Sequence, residues 1–295
     1  MVNCLERLAA GERLYCDGAM GTFLQAKGLQ PGECPELWCV THAADVQDIH
    51  RQYRAAGSSI VECNSFGGTH YKLTHYGLAE RVAELNRAAA AIARAVAGQD
   101  QHVLGSMGPT GELPEPYGEA TEAALYEAFR EQAVALAEGG ADMVIVETMS
   151  SVEEAAAAVR AVREHTPLIV VASFTFNPLP NGSFRTMMGV TPERMAEAML
   201  EAGAHILGAN CGTGMAPMIE IIRRLRAAAP STPLMAMANA GMPVVEHGQT
   251  VFKETPAQMA ALAPALAEAG ATIIGGCCGT GPAHIAALRQ ALTGR

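Results

Sequence analysis

The chain repeats one local pattern eight times. A short apolar run ends at a polar or glycine-rich turn, and an amphipathic helical stretch follows, with runs beginning near residues 13, 58, 102, 142, 167, 205, 233 and 271. The near-continuous β-branched run at 167–174 is typical of a strand buried in a parallel sheet. Eight successive βα units predict an α/β fold, the (β/α)8 TIM barrel, with a doubly wound open sheet as the alternative.

The length and composition of the chain agree with one such barrel. Its 295 residues are 49% hydrophobic, and no linker or shift of composition divides them, so we expect a single domain over residues 1–295. Predicted helices include 45–56, 81–97 and 119–138, whereas 23–44 has little periodicity and is predicted to be a long loop. Ser151 and Glu154 have the spacing of a helix capping box.

Charge and cysteine content exclude several classes of protein. A net charge of −10 disfavours a nucleic acid or an anionic membrane surface as partner. Eight irregularly spaced cysteines in a chain of this length indicate reduced thiols and not a disulfide framework. The first residues do not resemble a signal peptide, and no apolar run approaches the roughly 18 residues of a membrane span. We therefore expect a cytoplasmic protein with no membrane partner.

Two segments at strand ends share the pattern Gly-x-x-Cys-Gly-Thr-Gly and place three cysteines. Cys211 belongs to the first, and the adjacent Cys277 and Cys278 belong to the second. Neighbouring cysteines bridge each other only through a distorted peptide, so metal binding explains the pair better than a disulfide. Three thiolates leave one position open on a tetrahedral zinc, as in catalytic zinc sites. The alternative is that all three are small buried apolar side chains.

Other polar residues stand where predicted strands end. These are Asp17, Asn64, Glu147 and Asn239. Because the active site of a (β/α)8 barrel lies at the carboxyl ends of its strands, we expect them to face one bowl together with the cysteines, although Asp17 could instead cap a turn. No lysine lies at a strand end, which disfavours Schiff-base chemistry, and the Gly-Thr-Gly segments lack the third glycine of a dinucleotide fingerprint.

Six motifs, in order along nearly the whole chain, resemble the homocysteine S-methyltransferase family. They are closest to the homocysteine-binding module of cobalamin-dependent methionine synthases. The motifs are Asp17-Gly18-Ala19-Met20-Gly21-Thr22, Asn64-Ser65-Phe66-Gly67-Gly68-Thr69, Gly108-Pro109-Thr110-Gly111, Ala209-Asn210-Cys211, Asn239-Ala240-Gly241 and Gly275-Gly276-Cys277-Cys278-Gly279-Thr280. One departure is Ala238, which stands where the family commonly has proline.

The resemblance implies a zinc barrel that methylates the thiolate of homocysteine to form methionine. Carried over by position, Cys211, Cys277 and Cys278 bind Zn²⁺, and Asn239 occupies the open zinc position when substrate is absent. The same comparison assigns substrate binding to residues at three more strand ends and one loop. Asp17 and Glu147 contact the amino group, the backbone of Gly18, Ala19 and Met20 holds the carboxylate, and Asn64 completes the set.

The methyl donor is the part of the function that the sequence leaves open. The loop motifs are most similar to the branch of the family that uses a methylcorrinoid such as methylcobalamin. Asp48 and His50 begin an Asp-x-His-x-x-Gly corrinoid motif, but Tyr53 replaces its glycine. We therefore expect a separate corrinoid protein as partner, with S-methylmethionine or betaine as alternative donors. A non-catalytic zinc- or thiol-binding protein is the alternative from a different class.

Overall fold

Eight parallel strands form one curved sheet in the computed structural model, which describes residues 3–246 and 249–294. In chain order they are β1 Leu14–Tyr15, β2 Ile60–Glu62, β3 His102–Met107, β4 Met143–Met149, β5 Ile169–Phe174, β6 Ile206–Asn210, β7 Leu234–Ala238 and β8 Ile273–Gly276. From β2 to β8 each strand pairs in parallel with the next one along the chain, and β8 pairs in parallel with β1. The predicted (β/α)8 barrel is confirmed.

The seam between β1 and β2 is closed differently from the others. Over the described residues these two strands form no ladder. Instead, the Ser59 N–H donates to the Tyr15 carbonyl at 2.6 Å, and the Glu62 N–H donates to the Asp17 carboxylate at 2.8 Å. A carboxylate is thus part of the barrel wall at its carboxyl end.

A helix on the outer surface follows each strand. These helices are α1 Ala43–Ala55, α2 Val82–Val96, α3 Glu122–Glu138, α4 Val152–His165, α5 Pro192–Glu201, α6 Met215–Ala228, α7 Pro256–Glu268 and α8 Pro282–Thr293. Alternate strand residues face the two layers: Val144 joins the core between sheet and helices, whereas Met143 and Ile145 join the core inside the barrel. In the described ranges, no helix combines the length and apolar character that crossing a bilayer requires.

A short helix, Cys4–Ala9, closes the amino end of the barrel. Asn3 caps it, and its Cys4 and Leu8 side chains pack against the core inside the barrel. Because this end is plugged, a small molecule reaches the barrel interior from the carboxyl ends of the strands.

Several connections have more structure than the sequence predicts. The predicted loop at 23–44 contains the short helices Gly21–Ala26 and Trp38–Thr41, and His70–Thr74 is a further helical turn. Such segments are too short for a 3.6-residue apolar period to be recognised. Two-stranded ribbons, Asn177–Pro178 with Phe184–Arg185 and Val244–Glu246 with Gln249–Val251, extend the loops after β5 and β7.

The predicted capping box of α4 is only half formed. The Ser151 hydroxyl accepts a hydrogen bond from the Glu154 N–H at 3.3 Å, as expected. The Glu154 carboxylate, however, accepts from the N–H and the hydroxyl of Thr110, at 2.8 and 2.6 Å. Glu154 therefore fixes the loop that follows β3.

Candidate functional site

The structure brings together the three cysteines at the ends of β6 and β8. The sulfur atoms of Cys211, Cys277 and Cys278 all lie within 4.8 Å of one another, and the Cys211–Cys278 separation is 3.8 Å. Cys211 has a φ of +57°, in the left-handed region that residues other than glycine rarely adopt. Strained backbone of this kind concentrates at functional sites, and here it belongs to a residue that the sequence singles out.

Charge is unevenly distributed over the thiol cluster, defined as Cys211, Cys277 and Cys278. Hydrogen bonds from the other two thiols lower the pKa of Cys211, whereas the contact with Cys211 raises the pKa of Cys277 well above the usual value for cysteine. The cluster by itself therefore stabilises one thiolate, which accepts from two thiols. Three thiolates at this spacing require a cation among them.

Asn239 supplies a second indication that the cluster suits a metal. Its side chain hydrogen-bonds the Cys211 sulfur, while its Oδ1 atom is buried and has no hydrogen-bond partner in the part of the chain that the structure describes. Buried acceptors are almost always satisfied in native proteins. Three sulfur donors beside one unused amide oxygen are a donor set that fits Zn²⁺.

Three carboxyl groups, of Asp17, Glu62 and Glu147, form the carboxyl cluster at the ends of β1, β2 and β4. Asp17 accepts the Glu62 N–H, and the Glu62 and Glu147 side chains hydrogen-bond each other. Asp17 and Glu147 were predicted from the sequence, whereas Glu62 was not. An acid inside the apolar run 60–63 is the signal that could have identified it.

Burial dominates the electrostatics of the carboxyl cluster. It raises the pKa of Asp17 to about 7, and it also raises the pKa values of Glu62 and Glu147. Across residues 3–246 and 249–294, no lysine or arginine forms an ion pair with any of the three. Buried acids without a positive partner are costly, so this cluster is suited to receive a cationic group.

Asn210 connects the two clusters, a role that was not predicted from the sequence. Its Nδ2 donates to the Glu147 carboxylate at 3.0 Å. Its Oδ1 accepts from the Thr148 N–H at 2.9 Å and from the Ser173 hydroxyl at 2.7 Å. Because Asn210 directly precedes Cys211, the position of Glu147 and the position of one thiol depend on the same side chain.

The loop after β1 packs directly on the loop after β8. The Tyr53 hydroxyl donates to the Ala19 carbonyl at 2.8 Å, and the Ala19 N–H donates to the Thr280 hydroxyl at 3.3 Å. A Cβ atom on Gly18 would lie 2.5 Å from that hydroxyl, so only glycine allows this approach. Among the described residues, the N–H groups of Gly18 and Met20 have no hydrogen-bond acceptor.

Asn64 lines the same pocket, but its side-chain nitrogen is already engaged. It donates to the Pro35 carbonyl at 2.7 Å and contacts the Cys39 sulfur at 3.5 Å. These bonds join the end of β2 to the loop that follows β1. The visible role of Asn64 is thus to hold the pocket wall in place.

Both clusters open into one cavity of about 310 Å³. Cys211, Cys277 and Cys278 line it, as do Glu62 and Glu147 and the Gly18–Met20 segment. This volume suits a small molecule and is at the lower end of the usual range for ligand pockets. The cavity can therefore hold a small compound with one end at the thiols and a cationic end at the acids.

Fold and pocket together define a (β/α)8 barrel with a three-thiol candidate metal site at its carboxyl end. The family profile described as homocysteine S-methyltransferase matches residues 14–292, and the chain belongs to this family.

Relatives and solved structures agree with this assignment. The chain is 36% identical to a methionine synthase of Mycobacterium tuberculosis and 34% identical to one of Mycobacterium leprae, in each case over 94% of this chain. It spans only 24% of the length of these relatives. The crystal structure of the homocysteine methyltransferase MmuM from Escherichia coli, oxidised form, is 25% identical, with a TM-score of 0.79 and coverage of 97% of this chain and 99% of that one.

Proposed function

We propose that this protein is a zinc-dependent methyltransferase that moves a methyl group to the sulfur of homocysteine and so forms methionine. The observation that carries the proposal is the single cavity that joins the thiol cluster to the carboxyl cluster. Homocysteine carries a thiol at one end and an ammonium and a carboxylate at the other. Family membership and the names of the relatives, methionine synthase and homocysteine methyltransferase, support the same reaction.

In this proposal Cys211, Cys277 and Cys278 hold Zn²⁺, and Asn239 Oδ1 is a further ligand when substrate is absent. The Asn239 oxygen, which has no partner among the described residues, supports that assignment, and the metallated form in which MmuM has been crystallised supports a metal site. A free thiol has a pKa of about 8.5 and is mostly protonated at neutral pH. Bound Zn²⁺ would supply the positive charge that keeps the substrate sulfur as a thiolate.

The remaining pocket residues bind and orient the amino acid. The ammonium group lies among Asp17, Glu62 and Glu147, where its positive charge favours the ionised carboxylates that burial otherwise disfavours. The N–H groups of the Gly18–Met20 segment bind the carboxylate. With both groups fixed, the side chain extends toward the thiol cluster, so the chain acts on the reaction by positioning the sulfur.

For the methyl donor we propose a methylcorrinoid carried by a separate protein that docks over the mouth of the barrel. Among the described residues, every exposed large apolar side chain except Leu200 lies in a loop that follows a barrel strand. Met187 is 83% exposed, Val245 77% and Tyr117 71%. Apolar side chains grouped around a binding site are typical of a surface that another macromolecule covers.

A small cationic donor such as S-methylmethionine is the second candidate, with betaine in the same class. A neighbouring cavity of about 390 Å³ shares Thr148 with the candidate active site and is lined by Glu112 and Glu154 as well as by apolar side chains. Acidic and apolar groups together suit a sulfonium or quaternary ammonium ion. This cavity has room for such a compound but not for a corrinoid.

One assay of methionine formation from homocysteine separates the donors. We expect turnover with a methylated corrinoid protein and with free methylcobalamin. Met187→Asp and Val245→Asp should slow the reaction with the corrinoid protein and leave free methylcobalamin unaffected. Leu200→Asp, on α5, is the matched control and should slow neither.

Efficient turnover with S-methylmethionine or betaine, and none with either corrinoid, would overturn the assignment of a methylcorrinoid as the methyl donor. The non-catalytic zinc-binding alternative would be favoured by no turnover with any donor, together with a zinc coordination that does not change when homocysteine is added.

A further inference from the structure

A second cavity, of about 630 Å³, lies at the opposite end of the barrel from the candidate active site. Its walls include residues just before β1, β2 and β3, which places it at the amino ends of these strands. Four arginines and two acids line it: Arg7, Arg13, Arg54, Arg289, Glu12 and Asp100. In a chain of net charge −10, this is a local excess of positive charge.

Two of the four arginines have structural partners. Arg7 donates to the Glu12 carboxylate at 2.8 Å and to the Asp100 carbonyl at 2.7 Å. Arg54 donates to the Val96 carbonyl, at the end of α2, at 2.8 Å. Contacts of this kind stabilise chain turns and helix C-termini, so these two side chains need no ligand to explain them.

Arg13 and Arg289 are different. Neither forms an ion pair with a carboxylate in the described ranges. The Arg13 Nε atom is buried and has no acceptor among the described residues, although another part of the side chain hydrogen-bonds Tyr15. A buried donor without an acceptor is destabilising, so an acceptor is expected at this position.

Arg289 also lines the cavity and is held against the backbone at Gly57. A Cβ atom on Gly57 would lie 3.0 Å from Arg289 Nη1, and Gly57 has a φ of +95°. The glycine therefore serves both the turn after α1 and the close approach of the guanidinium. Arg13 precedes β1 and Arg289 belongs to α8, so two distant parts of the chain bring their charges to one cavity.

We propose that this arginine cavity binds a small molecule that carries a phosphate group, through Arg13 and Arg289. The planar guanidinium forms paired hydrogen bonds with phosphate oxygens, and two cations without carboxylate partners neutralise a dianion. The volume exceeds what one phosphate group fills and leaves room for the rest of the molecule. The site is separate from the thiol cluster and does not depend on the proposed reaction.

Calorimetric titration of the full chain with pyrophosphate, at low salt and near pH 7.5, tests this proposal. We expect binding to the wild type with a dissociation constant below ~1 mM, and affinity weaker by about tenfold in Arg289→Gln and by more in Arg13→Gln/Arg289→Gln. Arg130→Gln is the matched control, because Arg130 pairs with Glu127 on α3, away from the cavity. It should bind like the wild type.

No binding by the wild type at ~10 mM pyrophosphate, or equal affinity in the double variant, would overturn the proposal. Equal affinity for citrate would overturn the phosphate assignment, because at this pH citrate carries nearly the same charge as pyrophosphate but has no phosphate oxygens. Circular dichroism verifies that the variants fold. If the double variant does not fold, the affinity of Arg289→Gln alone tests the proposal. The Arg289 side chain is exposed, so this substitution should not prevent folding. None of these readouts requires methyl transfer, so their failure leaves the proposed function unaffected.

Discussion

The thiol cluster and the carboxyl cluster share one pocket but are held in place differently. The thiols hydrogen-bond one another, so that a single thiolate is stabilised by its two neighbours. The carboxyls share one mutual hydrogen bond, between Glu62 and Glu147, but the barrel wall also fixes them: Asp17 accepts the Glu62 N–H, and Glu147 accepts from Ser106 and Asn210.

This difference indicates what each half is suited to hold. Thiols that hydrogen-bond one another all ionise only when a bound cation compensates their charge. This is the behaviour of a metal site. A carboxyl cluster that the strands hold in place is preorganised for a cation that arrives and leaves with the substrate. Changes in the two halves should therefore affect different steps.

The largest effect is expected for Cys211→Ser. Serine is a poor zinc ligand, so we expect loss of bound zinc and a fall in methionine formation of at least roughly 10³-fold, as several kcal/mol of charge stabilisation are removed. Cys63→Ser is the matched control, because Cys63 lines the same pocket outside the thiol cluster. Zinc per chain, measured by mass spectrometry, should be unchanged in the control. Full zinc occupancy in Cys211→Ser would contradict the three-thiol site.

Glu147→Gln should be less severe and should affect substrate binding. The amide retains the size of the side chain but removes its charge, and a hydrogen bond to a charged group contributes about 1.5–3 kcal/mol, so kcat/KM for homocysteine should fall roughly 10- to 100-fold. Zinc content should not change. With 4-mercaptobutanoate, which lacks the ammonium group, wild type and variant should react equally. An equal loss with both thiols would mean that Glu147 has no role in ammonium binding.

Gly18→Ala tests the loop that connects the two halves. The new Cβ atom would lie 2.5 Å from the Thr280 hydroxyl, so the Gly18–Met20 segment has to move, and we expect kcat/KM to fall about tenfold. Gly21→Ala is a matched control at the first residue of the short helix Gly21–Ala26, where a Cβ atom meets nothing within 4 Å. Adding Thr280→Ala should restore part of the loss by removing the clash. Identical kinetics in the two alanine variants would show that close packing of Gly18 on Thr280 does not matter for activity.

The smallest effect on activity is expected for His50→Leu, which lies outside both clusters. His50 is fully buried, both ring nitrogens lack partners among the described residues, and burial lowers its pKa from 6.5 to about 4. The unfolded chain therefore binds a proton first as the pH falls below about 6.5, and the wild type loses stability that the variant does not lose.

Between pH 7.5 and 5 this difference should reach roughly 2 kcal/mol in the free energy of unfolding, measured by urea denaturation of both proteins. Activity at pH 7.5 should be unchanged. A constant difference in stability over this pH range would show that His50 titrates normally in the folded protein.

Much of the fold could be predicted from the sequence because each βα unit repeats a local signal. Strand limits are less accurate: the first apolar run begins near residue 13, whereas β1 covers only Leu14–Tyr15, because pairing across the seam depends on the neighbouring strand. The three cysteines were identifiable because a repeated motif places them at strand ends. The reduced thiols Cys34, Cys39 and Cys63 carry no such pattern, and all three are buried.

The features that were missed depend on tertiary geometry. Whether Glu62 faces the pocket depends on strand register, since a shift of one residue would reverse its direction. Asn210 acquires its role only when β4, β5 and β6 lie side by side. The arginine cavity combines residues from both ends of the chain, so no local pattern marks it.

The sulfur ligands of zinc, counted by X-ray absorption before and after L-homocysteine is added, test the central claim most directly. The account predicts three sulfur neighbours in the purified protein, from Cys211, Cys277 and Cys278, and a fourth once homocysteine binds. The same three sulfurs before and after addition, or four from the outset, would contradict a substrate-binding zinc site.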